Sequence, residues 1–376
     1  MRKVIVAIDS FKGCLTSTEA NQAAAEGILS GCVEVEVVQI PVSDGGEGFL
    51  TAFQNALGGE VVEVAVRDPL MRRIMAKYLI NSETAVIEMA QASGLTLLSP
   101  EERNPMIAST YGTGQLVADA VRSGCKHIIV GLGGSATSDC GIGMLRAIID
   151  SFARGGSWDD VHELDNIHFT IATDVTNPLC GEKGAAHVFA PQKFAMRRRQ
   201  SAHDSTTERE QTQPQTNGTI PEMVMELDAR AKRFAEISAK HFGYDRQNEP
   251  GAGAAGGLGY AFMQYMGADC CSGIDLLLKA VGFDQMLKDA SLVITGEGSA
   301  DRQTLMGKLP YGILQRAKAQ HVPVALIAGR IKDRQELLDA GFSQVMCINP
   351  FGIPIEEAMK QETAKLNISQ TVSSLF

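Results

Sequence analysis

The sequence is short of positive charge. Its 34 lysines and arginines stand against 44 aspartates and glutamates, a formal net charge of −10 over 376 residues. Nonspecific binding to nucleic acid and docking on an anionic membrane both draw on excess Lys and Arg, so neither is expected. An anionic ligand would have to be met by particular cations or by a metal ion. Long hydrophobic runs are also missing, and none approaches the ~18 residues of a membrane span. The opening Met1-Arg2-Lys3 has the charges of a secretory leader, but the apolar run behind it ends at Asp9. That is short of the roughly 7–15 apolar residues a leader needs, and the chain reads as cytoplasmic. The eight cysteines include no C-x-x-C pair, Cys270 and Cys271 are adjacent, and the seven histidines include no H-E-x-x-H. A structural zinc site is therefore not expected, and the thiols read as reduced core residues.

What is present fits a globular protein of about two domains, at 44% hydrophobic and 21% charged residues. Strands over 4–8 and 33–40 alternate with helices over 16–30 and 48–57. The pattern returns near the C-terminus, with strands at 292–295, 322–328 and 344–348 and helices at 310–320, 333–340 and 354–366. Such alternation predicts a parallel sheet with helices on both faces. Between these stretches, 61–66, 73–80 and 84–89 read as consecutive antiparallel strands. A helix over 112–122 and a strand at 169–172 follow. The expected fold class is α/β: a Rossmann-like parallel-sheet domain, residues 1–60 plus 286–376, interrupted by an inserted α/β domain with mixed strands, residues 61–285. Residues 195–219 hold almost no large apolar side chain and are expected to form a disordered surface insertion.

Gly131 to Gly143 is the most informative stretch. After the apolar run 128–130 it packs five glycines, three hydroxyl residues and Asp139 into thirteen positions. Glycines let backbone N–H groups approach a ligand, and hydroxyls with a helix N-terminus complete an anion pocket. A glycine-rich turn without a ligand is the alternative. Ligands of an open parallel sheet bind beyond the carboxyl ends of its strands. Three such ends are polar here: Asp9-Ser10-Phe11-Lys12-Gly13, Ser43-Asp44-Gly45-Gly46-Glu47-Gly48 and Gly296-Glu297-Gly298-Ser299-Ala300-Asp301. Parallel topology brings them to one edge.

Two further stretches leave alternatives open. Asp174 and Asn177 are three residues apart after a strand, an oxygen set suited to Mg²⁺ or an Asx-type turn before Pro178. Gly251 to Gly259 is either a second backbone cradle or a tight packing surface. A Walker A loop is ruled out because Leu309, not Ser or Thr, follows Gly307-Lys308. Gly131-x-Gly133-x-x-Ala136 with Asp150 comes nearer the dinucleotide fingerprint, but residues 137–141 prolong a loop where that motif opens a helix. A nicotinamide-dependent hydroxy-acid dehydrogenase and a non-catalytic anion-binding protein stand as the rival functions.

The landmarks together resemble the bacterial glycerate kinases of the two-domain type. The resemblance rests on Ala7 to Gly13 with Leu15-Thr16-Ser17, on Pro41 to Gly48, on Ile87-Glu88-Met89-Ala90 with Gly94-Leu95, and on Gly112-Thr113-Gly114. It continues through Gly131 to Gly143, Asp174 to Leu179, Phe189-Ala190-Pro191-Gln192-Lys193, Gly253 to Gly259, Thr295 to Gly298, and Gln303-Thr304 with Gly307-Lys308. It covers nearly the whole chain. Where the family commonly has Arg-x-Asp after Thr-Gly-Glu-Gly, this chain has Ser299-Ala300-Asp301.

The resemblance implies transfer of the γ-phosphoryl group of ATP to D-glycerate with Mg²⁺, usually giving 2-phosphoglycerate, in a cleft between the two domains. On that reading Lys12, Asp44 and Asp174 are the catalytic candidates. Lys12 supplies positive charge and Asp44 orients the attacking hydroxyl, with Asp9, Asp139 and Glu297 as rivals for that role. Asp9, Ser10, Glu47, Glu297 and Asp301 are the expected glycerate-binding residues. Gly133, Gly134, Ser135, Thr137 and Asp139 would cradle the ATP phosphates, and Asp174 with Asn177 would hold the metal.

Overall fold

The computed structural model describes residues 2–31, 34–42, 48–153, 156–195 and 219–376. In chain order the elements are β1 (Arg2–Ile8), α1 (Ser17–Gly31), β2 (Val35–Gln39), α2 (Phe49–Leu57), β3 (Glu60–Arg67), β4 (Arg73–Asn81) and β5 (Thr84–Glu88). Then come α3 (Ala90–Ser93), α4 (Tyr111–Arg122), β6 (His127–Gly131), α5 (Ile142–Phe152), β7 (His168–Ala172), α6 (Ala185–Phe189), α7 (Ile220–Phe242) and α8 (Ala254–Met266). The chain continues with β8 (Asp269–Cys271), α9 (Gly273–Ala280), α10 (Phe283–Met286), β9 (Ala290–Ala300), α11 (Leu309–Ala319) and β10 (Val324–Ile331). It closes with α12 (Arg334–Ala340), β11 (Gln344–Cys347), α13 (Ile355–Ala358) and α14 (Gln361–Ser373).

Two sheets form, and the class is α/β. The first has the order β11-β10-β9-β1-β2 and is parallel throughout. The second has the order β3-β4-β5-β6-β7-β8. Its β3-β4-β5 portion is antiparallel and its β5-β6-β7-β8 portion parallel, the mixed arrangement that the hairpin signals at 67–73 and 81–84 dictate.

Alternation along β1 shows why its sequence is apolar on both sides. Ile5 and Ala7 join one core cluster, while Val4, Val6 and Ile8 join another on the opposite face with Ile28 of α1 and Ile368 of α14. Helix α1 begins at a capping box: Thr16 Oγ1 accepts from Glu19 N–H, and Glu19 accepts from Thr16 N–H.

Some elements differ from the sequence reading. Strand β9 runs on to Ala300 because β10 pairs with it as far as Ile331, so Glu297 lies in a strand rather than in the loop after one. Helix α2 packs on β4 and β5 of the second sheet, and its Phe49 and Phe53 share a core cluster with Ile5 and Ala7 of the first. The short β8 and the helix α9 lie outside the elements expected from the sequence, although Ile274, Leu277 and Leu278 give α9 a helical apolar face. Cys125 and Cys140 are buried as expected, whereas Cys270 and Cys347 are exposed. The insertion expected at 195–219 lies almost wholly outside the described residues, as do Asp44 and Glu47. No helix among the described residues is long and apolar enough to cross a membrane.

Candidate active site

The carboxyl ends of β1, β9, β10 and β11 surround a hollow of about 410 Å³. Asp9, Ser10, Lys12 and Glu297 line it together, so the predicted convergence on one sheet edge holds for these four residues. Asp9 follows Ile8, which pairs with Gly296, and Asp9 N–H donates to the Gly296 carbonyl at 2.9 Å. Asp9 also accepts from Ser10 N–H at 2.7 Å.

Lys12 stands at the tip of a tight turn. Phe11 and Leu15 exchange two backbone hydrogen bonds across it, and Gly13 takes φ +75°, which a side chain would resist. Burial of Phe11 and Leu15 clamps the base of this turn, leaving the Lys12 side chain exposed.

Glu297 is buried. Thr304 Oγ1 donates to its Oε1 at 2.5 Å and Lys308 Nζ stands 3.5 Å from its Oε2. Desolvation pushes its carboxyl above the ordinary range, with the Thr304 and Lys308 contacts opposing. Lys308 and Arg330 also line the hollow, so this edge is not short of cations. Asp301 does not join them. Its carboxylate accepts from Gln303 N–H at 2.8 Å and caps the short turn that follows.

A second hollow, also about 410 Å³, is lined by Gly133, Gly134, Ser135, Asp174 and Lys193 from the second sheet's loops, and by Lys12 from the first. The loop 132–136 is pinned on both sides: Leu132 N–H donates to Ala172, Leu95 N–H to Gly134, and Ala136 N–H to Ser93. Gly134 sits at φ +73°. Among the described residues no backbone carbonyl accepts from the N–H groups of Gly133, Gly134 or Ser135. These amides, a hydroxyl and two lysine side chains form a donor set suited to a polyphosphate.

Thr137 and Asp139 lie behind this loop instead of in it. Asp139 accepts from Thr110 N–H and Oγ1, both at 2.8 Å, from Gly143 N–H at 3.1 Å and from Gly141 N–H at 3.2 Å. It fastens the start of α5 to the start of α4, and burial raises its pKa in spite of those bonds. Its carboxylate is fully committed to the fold. Thr137 is completely buried, and its Oγ1 finds no partner among the described residues.

Lys193 was not among the expected site residues. It is 4% exposed, and its Nζ donates to Ser135 Oγ at 2.8 Å and to the Thr137 carbonyl at 2.6 Å. Desolvation lowers its pKa to about 7, partly offset by Asp139. Its signal in the sequence was Phe189-Ala190-Pro191-Gln192-Lys193, which marks a motif without saying which way the lysine points.

Asp174 faces the second hollow, but Asn177 does not line it. The Asn177 amide donates to the Lys183 carbonyl at 2.8 Å, tying its own loop. Among the described residues no three His, Cys, Asp or Glu side chains converge on a metal position. One carboxylate suffices for an ion that takes its other ligands from phosphate and water, so Asp174 fits Mg²⁺.

Glycines 251–259 serve packing. A Cβ on Gly256 would stand 2.1 Å from the Thr137 carbonyl oxygen, one on Gly253 2.3 Å from that of Pro178, and one on Gly259 2.2 Å from that of Gly251.

Comparison with known proteins bears on what this arrangement does. The glycerate kinase family matches residues 4–212 and 210–376. The chain is 37% identical to the glycerate kinase of Bacillus subtilis (strain 168), over 95% of this chain and 93% of that protein. It is 36% identical to the glycerate 2-kinase of Escherichia coli (strain K12), over 92% of this chain and 91% of the relative. A crystal structure from Salmonella typhimurium LT2, assigned as a glycerate kinase 2, superposes with a TM-score of 0.76 at 32% identity, covering 100% of this chain and 97% of that one. With a matching fold over the full length and relatives of this name at such identity, the chain belongs to the glycerate kinase family, phosphotransferases that act on an alcohol group.

Proposed function

We propose that this protein phosphorylates D-glycerate with ATP in a cleft where the two sheets' loops face each other, giving 2-phosphoglycerate. The observation that carries the reading is Lys12. It projects from the first sheet and lines both the hollow beside Asp9 and Glu297 and the hollow beside Gly133–Ser135 and Asp174. A cation shared by two adjoining hollows is placed to sit between a donor and an acceptor.

Phosphoryl transfer asks a protein for position and charge more than for covalent chemistry. The amides of 133–135 and the Ser135 hydroxyl hold the phosphates of ATP. Lys12 draws off the charge that develops on the transferring group. Glycerate occupies the hollow at the ends of β1 and β9, its carboxylate met by Lys308 or Arg330. Glu297, whose pKa is raised by burial, accepts the proton of the attacking hydroxyl, with Asp9 beside it to orient the substrate. Asp44, the first expectation for orienting the attacking hydroxyl, lies outside the described residues, as does Glu47, expected to bind glycerate. Asp174 would hold Mg²⁺, which would supply neutralisation of phosphate charge there. The 2-phosphoglycerate product rests on the relative named glycerate 2-kinase.

Phosphorus NMR of the product formed from ATP and D-glycerate tests the reaction and the position together. A 2-phosphoglycerate resonance is expected. A 3-phosphoglycerate resonance would overturn the position, and absence of any phosphoglycerate would overturn the activity.

A further inference from the structure

An ammonium group buried in protein is costly unless an anion meets it. Lys193 is 4% exposed, yet among the described residues no carboxylate forms an ion pair with it. Its two fixed hydrogen bonds go to neutral oxygens, Ser135 Oγ and the Thr137 carbonyl. Asp139 lies behind the loop and is the charge that acts on it, while Lys12 and Asp174 line the hollow that Lys193 also lines. Asp139 is occupied by four donors of its own. Among the described residues the Lys193 amine is therefore held by neutral oxygens, with no carboxylate in an ion pair with it.

We propose that Lys193 is the phosphate-pairing cation of the 133–135 loop, and that binding of a nucleoside triphosphate is coupled to uptake of one proton at Lys193 Nζ. This rests on the reading of the hollow as the ATP site and adds a proton to its binding equilibrium. Two of the three ammonium protons stay on Ser135 and Thr137, so the loop keeps its shape while the third faces the hollow. The arriving polyanion supplies the missing counter-charge, and water or buffer supplies the proton to the neutral amine. Depression of the Lys193 pKa to about 7 in the ligand-free protein, caused by desolvation, supports this: above that pH the amine is mostly neutral until an anion draws it back to the charged form.

The test is calorimetric titration of the full-length protein with ATP, without glycerate, at pH 8.0 in two buffers of different ionisation enthalpy. The γ-phosphate is deprotonated there, so uptake reports the protein. Between about half and one proton per ATP is expected for the wild type, and close to none for Lys193→Met, with affinity at least about tenfold weaker. The wild type alone carries a second readout, since its Kd for ATP should climb with pH above about 7, approaching tenfold per unit. ATP binding with equal uptake in Lys193→Met, or a Kd flat from pH 6.5 to 9, would overturn the inference and leave the ATP site standing. No ATP binding to the wild type would overturn both.

Discussion

A Cβ placed on Gly256 would stand 2.1 Å from the carbonyl oxygen of Thr137. The two glycine-rich runs, more than a hundred residues apart, are therefore packed back to back, and the second supports the first. Gly256 also has φ +68°, and its carbonyl accepts from Cys140 N–H at 3.0 Å. Gly256→Ala meets both a backbone clash and a left-handed conformation, and should lower stability by about 3 kcal/mol or more. Gly267→Ala has φ +62° with nothing within 4 Å of the new Cβ and should cost only about 1 kcal/mol. Urea unfolding of the two variants checks the contrast, and equal losses would mean that packing against Thr137 is unimportant.

Lys12→Ala tests the junction between the hollows. Removing a charge partner from a transition state costs about 2.7–4 kcal/mol, so kcat/KM for glycerate should fall by roughly a hundredfold or more. Glycerate-dependent ADP release measures it. The lysine is exposed, so Tm should not change. A loss under about threefold with Tm intact would place Lys12 outside the reaction centre.

Glu297 separates activity from stability. Burial raises its pKa above the ordinary 4.5, so the folded state holds this proton more tightly than the unfolded one. Its contribution favours folding at pH below the ordinary value and is lost as pH climbs through the raised one. Glu297→Gln, which carries no charge, should be at least as stable as the wild type at pH 7, and that margin should shrink as pH falls toward 4.5. If Glu297 accepts the hydroxyl proton, kcat drops by about two to four decades. Full activity in the variant would return that role to Asp9 or Asp44.

Lys193 has the opposite sign. Its folded pKa of about 7 lies below the ordinary 10.5, so between those values the unfolded chain binds more protons. Ligand-free stability should rise with pH across that window, by up to a few kcal/mol. Lys193→Met should lack this rise. Denaturant unfolding at pH 7 and 9.5 compares the slopes, and parallel behaviour of the two proteins would contradict a desolvated ammonium at this position.

Asp139→Asn asks whether this carboxylate belongs to the fold or to the ligand. It leaves acceptors short for Thr110, Gly141 and Gly143, and should cost about 2 kcal/mol or more in unfolding free energy. An affinity loss for ATP with undiminished stability would restore Asp139 to the phosphate site.

Much of this protein follows from local chemistry. Alternating apolar strands and capped helices dictate two α/β layers, because burial of Val4, Val6 and Ile8 on one face and Ile5 and Ala7 on the other needs no distant information. The antiparallel start of the second sheet is written in its short turns. Asp9, Lys12 and Glu297 could be grouped in advance because parallel strands present their carboxyl ends on one edge. Direction and depth were beyond local reach. Asp139 and Ser135 share one glycine-rich stretch, yet Asp139 turns inward to Thr110 and Ser135 outward to Lys193, since α4 and the 189–193 segment arrive from elsewhere in the chain. Residue type and spacing limit which groups can meet, but desolvation and pairing depend on what packs around them, and only the assembled fold fixes that.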